Sequence, residues 1–306
     1  MRRFGLFAIG WVLMAGLCRA GQPAAQTPHG RSHPACFGPF HLPVERFGPP
    51  FTLTMAAVRT PRDAAHVLEA AQAKGVRVLI HLTGGRRHFQ NADGSFSLDR
   101  FAQLLDQFRG LDFAPWIRNG TLIGHMLFDE PHDPTNWDGK PVPFATIESA
   151  AAASKRLWPN LPTAIGSPAQ YLSAGAPYKH LDFSFAQYSA KRGDLDTWRR
   201  DELAHAQKAG LKPLFGLNVL RGAGRDQPLS AEQLRRFGTA LVREPVSHGL
   251  LMWKWDEEYF SRPDIRQAME EIRAAVFGVR LGNGISKAAG HVSDKGVAER
   301  KKAGAP

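Results

Sequence analysis

From Phe51 onward the apolar residues of this chain come in two alternating kinds of run. Short continuous blocks, such as Val76 to Leu82 and Leu211 to Leu220, read as strands. Between them, apolar positions recur at helical spacing, as in Ala64, Val67, Leu68 and Ala71. The pattern predicts strands over Phe51 to Val58, Val76 to Leu82, Leu122 to Phe128, Pro162 to Gly166, Asp182 to Tyr188, Leu211 to Leu220 and Gly249 to Trp255. It predicts helices over Pro61 to Lys74, Leu98 to Phe108, Phe144 to Trp158, Leu195 to Ala209, Ser230 to Arg243 and Pro263 to Phe277, with Gly75, Gly210 and Gly278 as stop signals.

Strand and helix alternate at the spacing of repeated βαβ units. The strands are continuously apolar, so both faces are buried and the sheet is parallel. The expected fold is a (β/α)8-type barrel, possessing seven clear strands and an eighth near Phe37 to Leu42 or inside Phe113 to Ile117. A doubly wound open sheet is the alternative. It is disfavoured because no Gly-rich dinucleotide fingerprint follows the first strand.

The N-terminus departs from this pattern. Arg2 and Arg3 precede an apolar run from Phe4 to Leu17, and Cys18-Arg19-Ala20 follows with small residues at the key positions. Residues 1–20 therefore read as a signal peptide, which implies a secreted or periplasmic protein and no stable membrane insertion after cleavage. The apolar run is short of the ~20 residues that a spanning helix needs. Residues 21–50, rich in Pro, Gly and His, read as an N-terminal arm, 51–278 as the barrel domain, and 279–306 as a basic, disordered tail. The formal charge is +11, and cleavage removes three arginines and no acid. The remaining positive charge is scattered, with no basic helix and no aromatic-interleaved patch, so nucleic acid is not an expected partner. Cleavage also leaves Cys36 as the one cysteine, so stability is expected from the core and not from an internal disulfide.

Candidate chemistry lies at the C-terminal ends of the strands, where barrels of this kind carry it. The third predicted strand ends in Asp129 and Glu130, inside "GHMLFDEPHDP"; the last is "LLMWKWDEEYF", ending in Lys254, Asp256, Glu257 and Glu258. Acids on two strands suit glycosidic bond hydrolysis, in which one carboxyl group protonates the leaving oxygen while the other attacks or activates water. Glu130 is the expected general acid, and Asp256 or Glu257 its partner. His81, His125, Asp129, Trp137, Gln187, Tyr188, Asn218, Trp253, Lys254 and Trp255 are the expected contacts to a carbohydrate substrate. Neither a metal nor a cofactor is expected; His81 and His125 read first as hydrogen-bonded strand residues.

The pairing of "FDEP" on a mid-barrel strand with "WKWDEEYF" on the last resembles the TIM-barrel glycoside hydrolase superfamily. Its large retaining clan commonly ends the fourth strand in Asn-Glu-Pro, with that Glu as acid/base, and places a nucleophile Glu on the seventh. The resemblance covers roughly Phe51 to Phe277 and implies that Glu130 is the acid/base. Asp129 stands where the clan has Asn, and the motif falls on the third predicted strand. The chain also resembles uncharacterised secreted bacterial barrels. Two loops, Arg86 to Ser97 and His132 to Pro141, are expected to overhang the mouth, where Arg86, Arg87 and His88 read first as a solvated rim, with attraction of an anionic sugar as the alternative. The alternative function is a barrel that binds carbohydrate or cell-envelope material without cleaving it.

Overall fold

The structure, a computed structural model, describes residues 35–277 apart from 225 and 226. The expected signal peptide, the first part of the arm and the basic tail lie outside the described residues. Eight strands form: β1 (Phe37–Pro39), β2 (Leu53–Ala57), β3 (Arg77–His81), β4 (Leu122–Asp129), β5 (Thr163–Gly166), β6 (Phe183–Tyr188), β7 (Lys212–Asn218) and β8 (Leu250–Trp253). The helices are α1 (Pro61–Lys74), α2 (Leu98–Asp106), α3 (Ala114–Arg118), α4 (Phe144–Leu157), α5 (Ala169–Leu172), α6 (Leu195–Ala209), α7 (Ala231–Arg243), α8 (Glu257–Ser261) and α9 (Pro263–Phe277).

The helix ends fall where the sequence punctuates them. Thr60 caps α1 by accepting from the Asp63 amide, Pro61 takes the first turn, and Gly75 closes the helix at φ 66°. Ser230 and Gln233 form a reciprocal capping box on α7. Asp194 caps α6 through the Thr197 amide, and Gly210 ends it in the left-handed region. Each cap satisfies a backbone group that the helix itself leaves open.

All strand pairs are parallel, in the order β1-β8-β7-β6-β5-β4-β3-β2. The result is a nearly closed (β/α)8 TIM-type barrel, as the periodicity predicts. The eighth strand is β1, which lies inside the stretch read as an arm; the other candidate region forms α3 instead. With β1 counted, the strand that ends in Asp129 is the fourth.

The seam between β1 and β2 is lightly bonded. It consists of the Phe40↔Met55 bridge, Thr52 N to Phe37 O at 2.9 Å and His41 N to Met55 O at 2.9 Å. Pro39 has no N–H to give. Thr54 fills in: its hydroxyl donates to Pro39 O at 2.8 Å and accepts from Leu42 N at 3.3 Å.

Two apolar layers hold the fold. Inside the barrel pack Cys36, Phe40, Leu53, Met55, Leu79, Met126, Ala164, Phe183, Phe185, Leu214 and Leu251. The larger layer lies between strands and helices and includes Leu68, Phe101, Ile147, Phe237 and Ile272. Bulk is balanced across neighbouring strands. A Cβ at Gly216 would lie 2.6 Å from the Phe185 ring, so the glycine makes room for the phenyl group.

Candidate active site

The mouth is built by strand alternation. Leu79, Ala164, Phe185, Gly216 and Leu251 face the barrel interior or its packed ring. The residue two positions further along each strand points the same way. That next layer is His81, Gly166, Gln187, Asn218 and Trp253, all but Gly166 partly open to solvent. β4 breaks the rule. Met126 packs inside and Phe128 packs outward with Phe89, Phe96 and Trp137. The register against β5 shifts between Met126 and Asp129, and this irregularity resets the phase and brings Asp129 to the mouth.

Asp129 lies directly over Gly166. A Cβ built on Gly166 would overlap the Asp129 carboxyl group and come within 3.1 Å of its Cα. Asp129 is exposed as a residue, while its carboxyl group is crowded by the surrounding strand ends. That enclosure, with the adjacent charge of Glu130, pushes its pKa up to about 7; the hydrogen bond from Glu130 N and the charge of Arg86 oppose the rise.

Glu130 turns the chain out of β4 at φ 52°, a left-handed conformation that costs a residue with a side chain about 1–3 kcal/mol. Its N–H donates to Gly166 O at 2.7 Å and to Asp129 Oδ1 at 3.1 Å. The following loop folds back on it: Asn136 Nδ2 donates to Glu130 Oε2 at 2.9 Å and Trp137 Nε1 to Glu130 O at 2.8 Å. Backbone strain held by surrounding bonds clusters at functional sites.

Beside β4, an imidazole pair is formed by His81 at the end of the neighbouring strand β3 and His41 just past β1. His81 accepts or donates at Nε2 with Thr83 Oγ1 at 3.2 Å, and Thr83 donates on to Leu127 O at 3.2 Å. Burial and the neighbouring His41 lower the His81 pKa to about 4, so the ring is neutral at pH 7. His41, at φ 57° just past β1, is itself lowered by burial and by Lys254. Trp253 ends β8 with Phe40 edge-on at 5.4 Å, and a cis peptide bond joins it to Lys254, whose Nζ lies 5.8 Å from the indole. Asn218 ends β7, its Oδ1 accepting from Arg221 N at 2.8 Å.

Thus the structure brings His81, Asp129, Gln187, Asn218, Trp253 and Lys254 to one face, with Glu130 at its edge. It does not bring the other expected residues there. His125 is 0% exposed and faces α4, with Nδ1 on Ser154 Oγ at 2.9 Å and its ring against Trp158. Trp137 is 2% exposed beneath the loop, and Tyr188 is buried on Trp198 and Phe237. Trp255 stacks on Phe260 at 5.1 Å. Asp256 caps α8, its Oδ1 accepting from Tyr259 N at 2.8 Å. Glu257 pairs with Arg46 and accepts from Ser261 Oγ at 3.1 Å. The expected loop excursion is a small hairpin, with Asn91 N to Ser95 O at 2.8 Å and a Gln90↔Phe96 bridge. His41 and Gly166 are mouth residues without a place in the sequence-based expectation; His41 was concealed by the brevity of β1. Among the described residues, no three His, Cys, Asp or Glu side chains are grouped to hold a metal ion. No described helix is long and apolar enough to cross a membrane.

Comparison with known proteins agrees with the architecture. The endoglucanase Cel5A of Pseudomonas stutzeri superposes with TM-score 0.52 at 15% identity, covering 74% of this chain and 81% of that one. A family 5 mannosidase of Rhizomucor miehei gives TM-score 0.50 at 10% identity, over 74% and 84%. A glucosidase of Croceicoccus marinus gives 0.49 at 13%, and this chain spans 60% of its length. No protein-family model and no curated protein matches the chain. The endoglucanase and mannosidase superpositions agree with the barrel fold of this chain.

Proposed function

We propose that the chain is an exported glycoside hydrolase whose chemistry is carried by Asp129 and Glu130. The observation that carries this reading is the Asp129 carboxyl group seated over Gly166 in the barrel mouth, with its pKa pushed up to about 7. A carboxylic acid that keeps its proton near neutral pH is what protonation of a departing sugar oxygen requires. Asp129 thus takes the general-acid role, and Glu130 supplies the second carboxyl group, acting on water or on the anomeric carbon. Trp253 offers an aromatic face to a sugar ring, while Gln187, Asn218 and neutral His81 offer hydrogen bonds to hydroxyl groups. Turnover of a panel of defined oligosaccharides, with Asp129→Asn and Glu130→Gln as controls, tests the assignment: cleavage of at least one glycan by the wild type and its loss in both variants are expected.

One observation favours a second reading, a barrel that binds carbohydrate without cleaving it. Across the mouth from Asp129, β6, β7 and β8 end in Gln187, Asn218 and Trp253, none of them an acid. Asp256 and Glu257 are engaged in the α8 cap and the Arg46 ion pair. Glycan binding with no turnover across the panel would establish this reading over hydrolysis.

A further inference from the structure

We infer that the mouth selects an acidic sugar, a hexuronate unit stacked on Trp253 with its carboxylate against Lys254; this rests on the carbohydrate reading above and names the substrate class of the same site. The starting observation is a set of cations without acid partners. Arg86 follows β3, Arg192 follows β6, Arg221 follows β7 and Lys254 follows β8, and all four are exposed. Among the described residues none of them is in an ion pair. Some arginines elsewhere are matched, as Arg199 is to Asp196 and Glu244, Arg235 to Glu271, and Arg262 to Asp264. Unmatched charge of one sign around a cleft raises the local concentration of ligands of the other sign.

Three of these cations act on titrating groups at or beside the mouth. Arg86 acts on Asp129 and Asp133, Arg192 on His132, and Lys254 on His41. The acids of the mouth, Asp129 and Glu130, stand together at the end of β4 and repel a ligand carboxylate from that wall. The β8 wall attracts it. There Lys254 Nζ is 5.8 Å from the Trp253 ring centroid, beside the one aromatic face of the inward layer. The ammonium group lies on the face side of the indole, so a pyranose that meets this face brings its ring substituents within reach of Lys254. In a neutral sugar the C5 substituent is a hydroxymethyl group, which gains little from Lys254; in a hexuronate it is a carboxylate, which gains a charge-assisted hydrogen bond.

Binding measured by calorimetry tests this on the full exported chain. The probes are a galacturonate oligomer, its methyl ester, the matching neutral galactose oligomer and a sulfated galactose oligomer of equal length. The acid should bind about tenfold more tightly than its ester or the neutral oligomer, the worth of one charge-assisted hydrogen bond. Lys254→Gln should abolish that preference, while Lys208→Gln, an equal loss of charge on the exposed face of α6, should leave it intact. Circular dichroism spectra matching the wild type exclude misfolding of the Lys254 variant. Equal binding of acid and ester, equal binding of the sulfated oligomer, no binding of the acid, or an equal effect of Lys208→Gln would each overturn the inference. Because affinity is read without turnover, an acid preference in a protein that cleaves nothing leaves this inference standing while hydrolysis fails. Cleavage of neutral glycans without acid preference does the reverse.

Discussion

The carboxyl group of Asp129 occupies the space that a side chain on Gly166 would need. Two neighbouring parallel strands thus share one volume, and the glycine on β5 decides where the acid on β4 can rest. Gly166→Ala should push Asp129 off its seat with little change in the barrel. Displacement of a catalytic group by about an ångström costs roughly 100-fold in rate. A kcat for Gly166→Ala within a factor of two of wild type would show that Asp129 does not act from this position.

The proposed acid role of Asp129 fixes a pH profile. A general acid must carry its proton, so kcat/KM should fall as pH rises through about 7, and Asp129→Asn should remove that limb of the profile. Each of Asp129→Asn and Glu130→Gln should lower kcat on a natural glycan by about 10²–10⁴-fold. An activated aryl glycoside, whose leaving group needs little protonation, should rescue Asp129→Asn and not Glu130→Gln. Rescue of Glu130→Gln alone would exchange the two roles.

Two histidines, His125 in the core and His81 in the half-buried mouth layer, make the fold sensitive to acid. His81 and His125 have pKa values lowered from 6.5 to about 4 and about 3, both chiefly by burial. The unfolded chain therefore binds more protons than the folded one in the window from pH 6.5 down to about 4, and stability must fall on acidification through it. Asp129 has the opposite sign: its raised pKa contributes stability below 3.8 that is lost as pH rises through about 7. Urea unfolding from pH 4 to 8 should show a loss of stability below pH 6.5 in the wild type. A flat profile there would mean that the two imidazoles are not held neutral.

Asp256 separates a cap from a catalyst. Its Oδ1 accepts the Tyr259 amide at the start of α8. Asn caps as well as Asp, whereas Ala costs about 0.5–2 kcal/mol. Asp256→Asn should keep both stability and kcat, and Asp256→Ala should lose stability alone. A large kcat loss in Asp256→Asn would return this residue to the catalytic role that the sequence suggests.

The export proposal is tested at the N-terminus. Protein recovered from the medium or periplasm should begin near Gly21, as the Arg2-Arg3 start and the apolar run to Leu17 imply. Sequencing that recovers Met1 from exported protein would refute cleavage.

Most of the fold was legible because caps and periodicity agree. Thr60-Pro61 with Gly75, and Ser230 with Gln233, mark helix ends that the structure reproduces. β1 escaped because three residues, one Gly and one Pro, carry no period. The site was legible as a set of strand ends, but not side by side. Gln187 and Tyr188 are adjacent, so only one can face the mouth; the buried aromatic turns outward to Trp198 and Phe237. Trp255 is likewise withdrawn, onto Phe260. Asp129 was harder. Strict alternation from Met126 would have sent Phe128 inward, and the register shift that exposes Asp129 instead has no signature in "HMLFDEP". Asp256 and Glu257 resemble a catalytic wall in sequence because acids also begin helices, which is what they do in α8.

The thin seam between β1 and β2 has a dynamic consequence. A ladder such as β6 with β7 opens only as a unit, whereas β1 meets β2 through one bridge, two backbone hydrogen bonds and the hydroxyls of Thr52 and Thr54. Sub-global opening selects the stretch with the fewest mutual bonds. Deuterium should therefore enter at His41 and Leu42 well before it enters at Phe185 or Leu217. Since His41 borders the mouth, the fluctuation that lets solvent into the backbone at this joint also loosens one wall of the mouth, coupling entry of a ligand to the breathing of the barrel's weakest stave.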